Sequence, residues 1–259
     1  MSQRTAIVTG SSSGMGAATA ILLAKRGWNV TVNAARSLKE AEAVAKQCEA
    51  AGGKAIVAAG DVSQDADCRR IVDETTKAFG RLDALVNNAA ITKFCALANL
   101  DGLTADDFQR MTAVNVVGPF QMARAAAPAL RQSGHGTIVN VSSNAGLTGV
   151  GSSIAYAASK AALNTLTLSL SRVLAPEIRV NAVAPGFTIT PWHGKGMSNE
   201  QVASVTTHFR TTVPLKRSTT ADDVADAILW FVEGAAGVTG QLVVVDSGNH
   251  LHVNSPPRR

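Results

Sequence analysis

The only tyrosine of this sequence lies one helical turn before a lysine, in the segment YAASK. Tyr156 and Lys160 are four residues apart, so on a helix their side chains share a face. A phenol beside an ammonium group can act as a proton donor, because a nearby cation lowers the phenol pKa from about 10. The same residue types also occur as a packed tyrosine and a solvated lysine, so the pair needs support from the rest of the chain.

Two further polar residues complete a set suited to carbonyl chemistry. Ser143 ends the apolar run GTIVNVSS, thirteen residues before Tyr156, and Asn115 lies between apolar neighbours in a helical stretch. When a ketone is reduced by hydride transfer, its oxygen gains negative charge and needs a proton donor and a hydrogen-bond donor. We expect Tyr156 to donate the proton and Ser143 to bind the substrate oxygen. Lys160 would lower the phenol pKa and could hold a nicotinamide ribose, while Asn115 would position a water that links Lys160 to solvent.

A glycine-rich turn near the start of the chain predicts a phosphate site. The segment VTGSSSGMG follows the first apolar run, opens a helical stretch and spaces Gly10, Gly14 and Gly16 as G-x3-G-x-G. This pattern allows a tight turn, brings backbone close to a pyrophosphate and directs helix N-terminal N–H groups at the anion. It therefore predicts dinucleotide binding. The hydroxyls of 11–13 would either bind phosphate or ribose, or only solvate the turn.

The end of the second apolar run bears on the choice of dinucleotide. An acidic side chain there binds the ribose hydroxyls of NAD, whereas a basic one meets the 2′-phosphate of NADP. The run reads NVTVNAARS, which has no acidic residue and places Arg36 just after the strand. NADP(H) is therefore favoured over NAD(H).

Two later strand ends supply further candidate contacts. Asp61 and Val62 follow the third run, where the carboxylate would bind the adenine amino group and the valine would pack on the ring. The fourth run ends in NNAA. Either Asn87 or Asn88 would contact the cofactor, and the other would brace the neighbouring strand.

The apolar runs predict the fold. Seven short runs rich in Val, Ile, Leu and Ala alternate with helical stretches, as in a parallel sheet covered on both faces. The fold class is α/β: a single doubly wound domain over 1–259, with a seven-stranded parallel sheet and helices on both faces. Helices are predicted over 14–26, 37–51, 64–79, 104–132, 154–175 and 221–233. The segment 187–214 interrupts the alternation after a strand and is predicted to be a substrate loop.

Composition argues against several other classes of protein. With 46% hydrophobic and 17% charged residues, the chain can bury a sizeable core. The net charge is +5, but the basic residues are scattered, which is typical of a solvated surface and not of a nucleic-acid interface. Three cysteines without metal-like spacing indicate a reducing compartment and no zinc site. Without a secretory leader or a membrane-length apolar run, we expect a cytoplasmic protein with no membrane partner.

The combined pattern resembles the short-chain dehydrogenases/reductases over nearly the whole chain. The resemblance runs from TGSSSGMG through DV, NNAA and YAASK to PGFTITP and VTGQLVVVDSG. It implies a Rossmann-type NAD(P)-dependent oxidoreductase that assembles as a homotetramer or dimer, with the catalytic tetrad Asn115, Ser143, Tyr156 and Lys160. With the contacts that it adds, the predicted cofactor site comprises Gly10, Ser12, Ser13, Gly14, Met15, Gly16, Arg36, Asp61, Val62, Asn88, Ala89, Tyr156, Lys160, Pro185, Gly186, and Thr188 or Ile189.

The resemblance also narrows the possible functions. The segment VNAARSLKEAEAV is similar to the carrier-protein ketoacyl reductases and their relatives, which favour NADPH. Two departures are Ala90, where the family usually has Gly, and Ser13, where NADP-preferring members often have a basic residue. The favoured function is reversible NADPH-dependent reduction of a ketone. The alternatives are a 3-oxoacyl-carrier-protein or coenzyme A reductase, which needs a basic patch at the pocket mouth, and an NADP(H)-sensing protein without turnover, which needs no proton donor.

Substrate identity should depend on two segments, 145–153 and 187–214. The first, AGLTGVGSS, is small and apolar, and the second offers Phe187, Trp192, Met197 and Phe209. These side chains predict a lining for a medium-sized, partly apolar ketone. Lys195 or Arg210 would either meet a substrate anion or remain solvated.

Overall fold

A parallel sheet forms the centre of the molecule. The computed structural model describes residues 3–192, 194 and 196–251. Within that part of the chain, seven strands follow the order β3-β2-β1-β4-β5-β6-β7, and every neighbouring pair is parallel. The strands are β1 (Thr5–Val8), β2 (Asn29–Ala34), β3 (Ala55–Ala59), β4 (Ala84–Asn87), β5 (Gly136–Val141), β6 (Ile178–Pro185) and β7 (Leu242–Val245).

Helices cover both faces of this sheet. They are α1 (Gly14–Lys25), α2 (Leu38–Ala50), α3 (Asp65–Phe79), α4 (Ala105–Thr112), α5 (Gly118–Gln132), α6 (Ala145–Thr148), α7 (Ile154–Leu174), α8 (Asn199–Thr212) and α9 (Ala221–Glu233). Ala6 and Val8 belong to one buried cluster with α1, α2 and α9, whereas Ile7 belongs to a second with α3, α5 and α7. Successive side chains of a strand point to opposite faces, so β1 is buried on both sides. The predicted doubly wound fold is confirmed.

The strand order places a crevice at one edge of the sheet. β1 lies between β2 and β4, so the chain winds outward in both directions from this point. At such a switch point the connections leaving two adjacent strands diverge, and a ligand can enter between them. The segments that follow β1, β4, β5 and β6 meet around this crevice.

The predicted helix over 104–132 is not continuous. α4 begins with a capping box in which Thr104 and Asp107 bind each other's backbone N–H groups. A π-helical turn, Ala113–Val117, then separates α4 from α5. This wider turn contains Asn115, whose fully buried amide has tertiary partners that the helical periodicity does not reveal. The predicted substrate loop 187–214 contains one helix, α8, in the segment SNEQVASVTTHFR where the sequence predicts a short helix or two.

The described residues contain no helix of the length and hydropathy needed to cross a membrane.

Candidate active site

A cavity of about 1200 Å³ opens at the carboxyl ends of the central strands. Residues from the glycine turn, the ends of β3 to β6 and α7 all line it. Most predicted site residues are brought together there: Gly10, Ser12, Ser13, Gly14, Met15, Arg36, Asp61, Val62, Asn88, Ala89, Ser143, Tyr156, Lys160, Pro185, Gly186 and Thr188. The segment 145–153 and the loop 187–214 also contribute to the wall.

Three predicted site residues lie outside the cavity lining: Gly16, Asn115 and Ile189. A Cβ on Gly16 would lie 2.4 Å from Asn88 Nδ2 and 2.7 Å from the Gly10 carbonyl oxygen, so this glycine lets α1 pack closely against the turn. Ile189 is 49% exposed and is not part of the lining. Gly16 therefore has a packing role here, and the cofactor contacts of Gly16 and Ile189 stay predictions.

The glycine turn is held in shape by Asn33. Gly10 has φ +60°, and a Cβ there would lie 2.7 Å from Ala89 Cα, so only glycine fits this turn. The Gly10 N–H donates to Asn33 Oδ1 at 3.1 Å, and Asn33 Nδ2 donates to the carbonyls of Ala58 and Gly60 at 3.0 and 3.1 Å. Both amide hydrogens are used, so Asn33 connects the ends of three strands while it also forms part of the cavity lining.

The N-terminus of α1 faces the cavity with its N–H groups uncapped by a side chain. Ser13 is the N-cap residue, yet its hydroxyl makes no capping bond to any described N–H group of the first turn. Ser11 differs, because its hydroxyl donates to the Val8 carbonyl at 2.6 Å and accepts from the Asn33 N–H at 3.1 Å. Free N–H groups at a helix start bind anions. Ser11 is therefore structural, while Ser12 and Ser13 remain exposed to a ligand in the cavity.

Arg36 follows β2 and lines the same cavity. Its side chain is exposed, and no ion pair joins it to any carboxylate in the described part of the chain. Across the cavity rim, Asp61 Oδ1 accepts from the N–H and hydroxyl of Ser63 at 2.9 and 2.8 Å. The rim thus combines an unpaired guanidinium with a carboxylate already fixed by its own turn.

The two asparagines at the end of β4 have different surroundings. Asn87 is buried and donates from Nδ2 to Asn140 Oδ1 on β5 at 2.9 Å. Asn88 lines the cavity and donates from Nδ2 to the carbonyls of Thr9 and Gly10, both at 2.9 Å. Asn87 is therefore in the bracing position and Asn88 in the ligand-facing one.

Helix α7 carries the tyrosine and lysine into the cavity. Its N-cap residue, Ser153, accepts from the Tyr156 N–H at 3.2 Å, which fixes the first turn. Lys160 is 2% exposed, and its Nζ donates to the Val141 carbonyl at the end of β5 at 2.8 Å. The same nitrogen lies 5.7 Å from the centroid of the Tyr156 ring. The ammonium is thus anchored to the sheet directly beside the phenol.

Ser143 completes this group. Its Oγ accepts from the Ala145 N–H at the start of α6, at 3.2 Å. The hydroxyl hydrogen of Ser143 is therefore available for another acceptor. Ser143 is also the hydrogen-bond partner that opposes the effect of burial on Tyr156.

Burial shifts both ionisable groups away from their charged forms. It raises the pKa of Tyr156 to about 12, against the lowering effect of Ser143, and it lowers the pKa of Lys160 to about 7. Burial is the largest effect on Tyr156, and Lys160 is not among the groups that lower its pKa here. The lowering of the phenol pKa by a charged Lys160 therefore stays a prediction. A negatively charged ligand in the cavity would reverse the shift of Lys160.

Asn115 supports the site from behind. Its Oδ1 accepts from the Ile91 N–H at 2.9 Å, and its Nδ2 donates to the Ile91 carbonyl and to Ser159 Oγ, both at 3.0 Å. Both amide hydrogens are therefore in use, and the side chain connects the segment after β4 to α7. The side chain of Asn115 is thus tied to Ser159, the residue before Lys160, while the predicted role of Asn115 in positioning a water beside Lys160 stays a prediction.

The substrate side of the cavity includes residues that the sequence reasoning missed. Phe94, Cys95 and Arg110 line it, and the Trp192 ring, on the predicted loop, lies 6.1 Å from the Tyr156 ring. Phe94 and Cys95 follow β4 without any periodic pattern, so the sequence offered no signal for them. Arg110 could have been found from its position on the helix that carries Asn115.

Two residues were considered for substrate anions, and the structure tests one of them. Arg210 is exposed on α8, away from the wall, and Lys195 lies outside the described residues. No group of three or more metal-ligating side chains occurs in the described ranges.

Known proteins are similar to this chain in sequence and in fold. The family profile described as short chain dehydrogenase (adh_short) matches residues 4–201. A Streptomyces violaceoruber protein named as ketoacyl reductase 2 of the granaticin polyketide synthase is 44% identical over 246 residues, which is 95% of this chain and 96% of the relative. A 3-oxoacyl-acyl-carrier-protein reductase of Staphylococcus aureus is 33% identical over 250 residues, 96% and 98% of the two chains.

A solved structure also matches this chain over nearly its whole length. It is described as a short-chain dehydrogenase/reductase from Burkholderia xenovorans and has a TM-score of 0.90 at 40% identity, over 97% of this chain and all of that one. The match extends through the sheet, the glycine turn and the helix that carries Tyr156. The chain belongs to the short-chain dehydrogenase/reductase family and is an NAD(P)-dependent oxidoreductase that acts on CH–OH and C=O groups.

Proposed function

We propose that the protein reduces a ketone to a secondary alcohol with NADPH, reversibly. One observation carries the proposal: Tyr156, Ser143 and Lys160 line the same cavity as the glycine turn and Arg36. A proton donor and a dinucleotide cradle in one cavity are the two requirements of hydride transfer to a carbonyl.

The residues present fit a phosphorylated dinucleotide. Gly10 allows close backbone approach, and the start of α1 offers N–H groups not capped by a described side chain. Arg36 follows β2, on the side where a 2′-phosphate would extend. No described carboxylate balances its charge, and this free charge supports NADPH over NADH. When bound, the nicotinamide supplies the hydride. Asp61, Asn88, Pro185, Gly186 and Thr188 would surround the rest of the cofactor.

The chain's own residues manage the proton. Ser143 donates its hydroxyl hydrogen to the substrate oxygen, and Tyr156 transfers its phenolic proton to the same oxygen as negative charge develops. Burial favours the neutral form of Lys160 and lowers its pKa to about 7. An anionic ligand raises that pKa, and the resulting cation, 5.7 Å from the phenol ring, lowers the pKa of Tyr156 toward the working range. In the oxidative direction the phenolate accepts the proton.

A narrower candidate is a 3-oxoacyl thioester reductase. The names of two relatives support it, one a ketoacyl reductase and the other a 3-oxoacyl-acyl-carrier-protein reductase. Arg110 and Lys93 beside the substrate cavity are the basic residues that such a substrate requires. A sensing protein without turnover is less well supported, because it would need neither Tyr156 nor Ser143.

The proposal extends to assembly and location. Leu168 and Val173 of α7 and Phe120 of α5 expose 48%, 69% and 41% of their surface, which supports a homotetramer or dimer. Three free cysteines support a reducing cytoplasm. A solution mass from light scattering equal to one chain would contradict the assembly.

Replacing the tyrosine tests the chemistry. Tyr156→Phe keeps the ring that packs near Trp192 but removes the donated proton. We expect turnover of a ketone panel with NADPH to fall by at least about a hundredfold, because positioned proton donors contribute on this scale. NADPH affinity, measured by fluorescence titration, should stay within about twofold, since the phenol supplies little of the binding energy. Undiminished turnover would exclude Tyr156 as the donor.

Replacing the arginine tests the choice of cofactor. Arg36→Ala should raise the KM for NADPH about tenfold and leave the KM for NADH nearly unchanged, because only NADPH carries the 2′-phosphate. Lys39→Ala is the matched control, since Lys39 is an exposed cation on α2 that does not line the cavity. Equal increases for both cofactors in the Arg36 variant would remove it from the phosphate site.

A further inference from the structure

A second cavity adjoins the substrate side of the first. This outer chamber has a volume of about 630 Å³ and is lined by Thr92, Lys93, Asp107, Arg110 and Trp192, among others. Phe94, Arg110 and Trp192 line both cavities, so they form the boundary between them. The outer chamber therefore shares a wall with the cavity that contains Tyr156.

The charges of the outer chamber do not cancel. Lys93 Nζ binds Asp107 Oδ2 at 2.7 Å, and that carboxylate also caps α4 through Thr104. Arg110, one turn after Asp107, has no side-chain hydrogen bond or ion pair with any described residue. Its guanidinium is exposed to both cavities. The described part of this lining thus holds one unbalanced positive charge.

The route from the reactive centre to Arg110 is apolar. The Trp192 ring lies 6.1 Å from the Tyr156 ring and also forms part of the outer chamber. Phe94 packs against the loop that carries Trp192. A Cβ added to Gly196 of this loop would lie 2.2 Å from the Phe94 ring. A ligand with its carbonyl at Tyr156 and its far end at Arg110 would therefore share this cavity with the two aromatic rings. Such walls favour a hydrocarbon segment over a hydrated one.

We propose that the outer chamber binds the oxyanion at the far end of an elongated, mainly apolar ketone, with Arg110 as a specificity-determining residue. The inference rests on the proposed ketone reduction and adds the substrate class. The oxyanion would be either the carboxylate of a free oxo acid or a phosphate on the arm of an oxoacyl thioester. Both match the planar fork of a guanidinium.

Matched substrate pairs test this inference and separate its two sources. The first pair is a series of methyl ketones with a terminal carboxylate at increasing chain length, compared with their methyl esters. The second pair is a 3-oxoacyl coenzyme A thioester and the N-acetylcysteamine thioester of the same acid, which lacks phosphate. For at least one pair, we expect wild-type kcat/KM to favour the anionic member by about fivefold or more, with the advantage shrinking at high salt.

Variants assign the preference to one residue. Arg110→Gln should abolish the preference through a higher KM for the anionic member alone, and Arg110→Lys should retain part of it. Arg131→Gln, an exposed arginine in the last turn of α5, is the control and should leave the preference intact. A wild-type enzyme that reduces ketones but prefers no anionic member overturns the inference, as does an Arg110→Gln variant with an unchanged preference. Failure of the proposed function is distinct, since wild type would then reduce no ketone with either cofactor.

Discussion

Replacement of the buried lysine should make the stability of the protein depend differently on pH. Lys160 is 2% exposed, and burial lowers its pKa from 10.5 to about 7. In the unfolded chain this lysine holds its proton up to about pH 10.5, whereas in the folded protein it releases the proton near pH 7. The unfolded state therefore binds more protons between these values. The free energy of unfolding must then rise with pH across this window.

The size of this effect follows from the shift. Each pKa unit corresponds to about 1.4 kcal/mol, so protonated Lys160 costs the folded state about 5 kcal/mol below pH 7. By about pH 9.5 most of this cost is gone. The lysine of the folded protein is then neutral, and the pH is only about one unit below the pKa of the same lysine in the unfolded chain. We therefore expect wild type to gain about 3 kcal/mol relative to Lys160→Met between pH 7 and about pH 9.5.

The assay is urea unfolding of both proteins at the two pH values. Subtracting the variant from wild type cancels the other titrations, and it also cancels the constant loss of the bond from Nζ to the Val141 carbonyl. Lys77→Met, at an exposed lysine of α3, serves as the control and should differ from wild type by the same small amount at both pH values. A difference between wild type and Lys160→Met that stays constant or falls with pH would refute the account of Lys160 as a desolvated amine.

Two further substitutions test the packing around the site. Asn33→Ala removes three hydrogen bonds that hold the glycine turn, so we expect a loss of about 3 kcal/mol in urea unfolding and weaker NADPH binding. The control is Asn29→Ala, because Asn29 is a buried asparagine on the same strand and its Oδ1 has no described partner. This variant should lose less unfolding free energy than Asn33→Ala. An equal loss would contradict the special role of Asn33. Gly196→Ala should displace the loop from Phe94 and raise the ketone KM more than it changes kcat. Gly194→Ala is the control, because no described atom lies within 4 Å of a Cβ at this position. We expect this control to behave like wild type in the same assay. Indistinguishable kinetics for the two glycine variants would show that the loop position does not shape the pocket.

The parts of the fold that could be predicted are those that local sequence controls. Runs such as TAIV and GTIVNV are buried on both faces, and their composition alone distinguishes a covered parallel sheet from an open one. The turn at Gly10 could be located because Gly10, Gly14 and Gly16 are spaced as G-x3-G-x-G between a strand and a helix. Strand, turn and helix boundaries depend on neighbours in the chain, and these are visible in the sequence.

The parts that could not be predicted depend on contacts between distant segments. The π turn was hidden because apolar residues recur through 104–132 with an ordinary helical period, while the amide of Asn115 is bound to Ile91, which follows a different strand. The direction of the two pKa shifts depends on how deeply α7 is packed, which the spacing of Tyr156 and Lys160 does not encode. The surroundings of Arg110 were hidden for a similar reason, since they come from the segment 90–94 and from Trp192 and Gly196, which are distant in sequence.

The extra residue in the π turn has a consequence for how this enzyme can change. In a regular helix successive residues are about 100° apart around the axis, so one inserted position rotates α4 relative to α5 by about that angle. Ala123 and Ala126 of α5 can therefore stay against the sheet while the face of α4 that bears Arg110 points into the pocket. New specificities can arise on α4 without repacking the interior, whereas deletion of one residue between 113 and 117 would turn Arg110 away from its chamber and leave the Rossmann core intact.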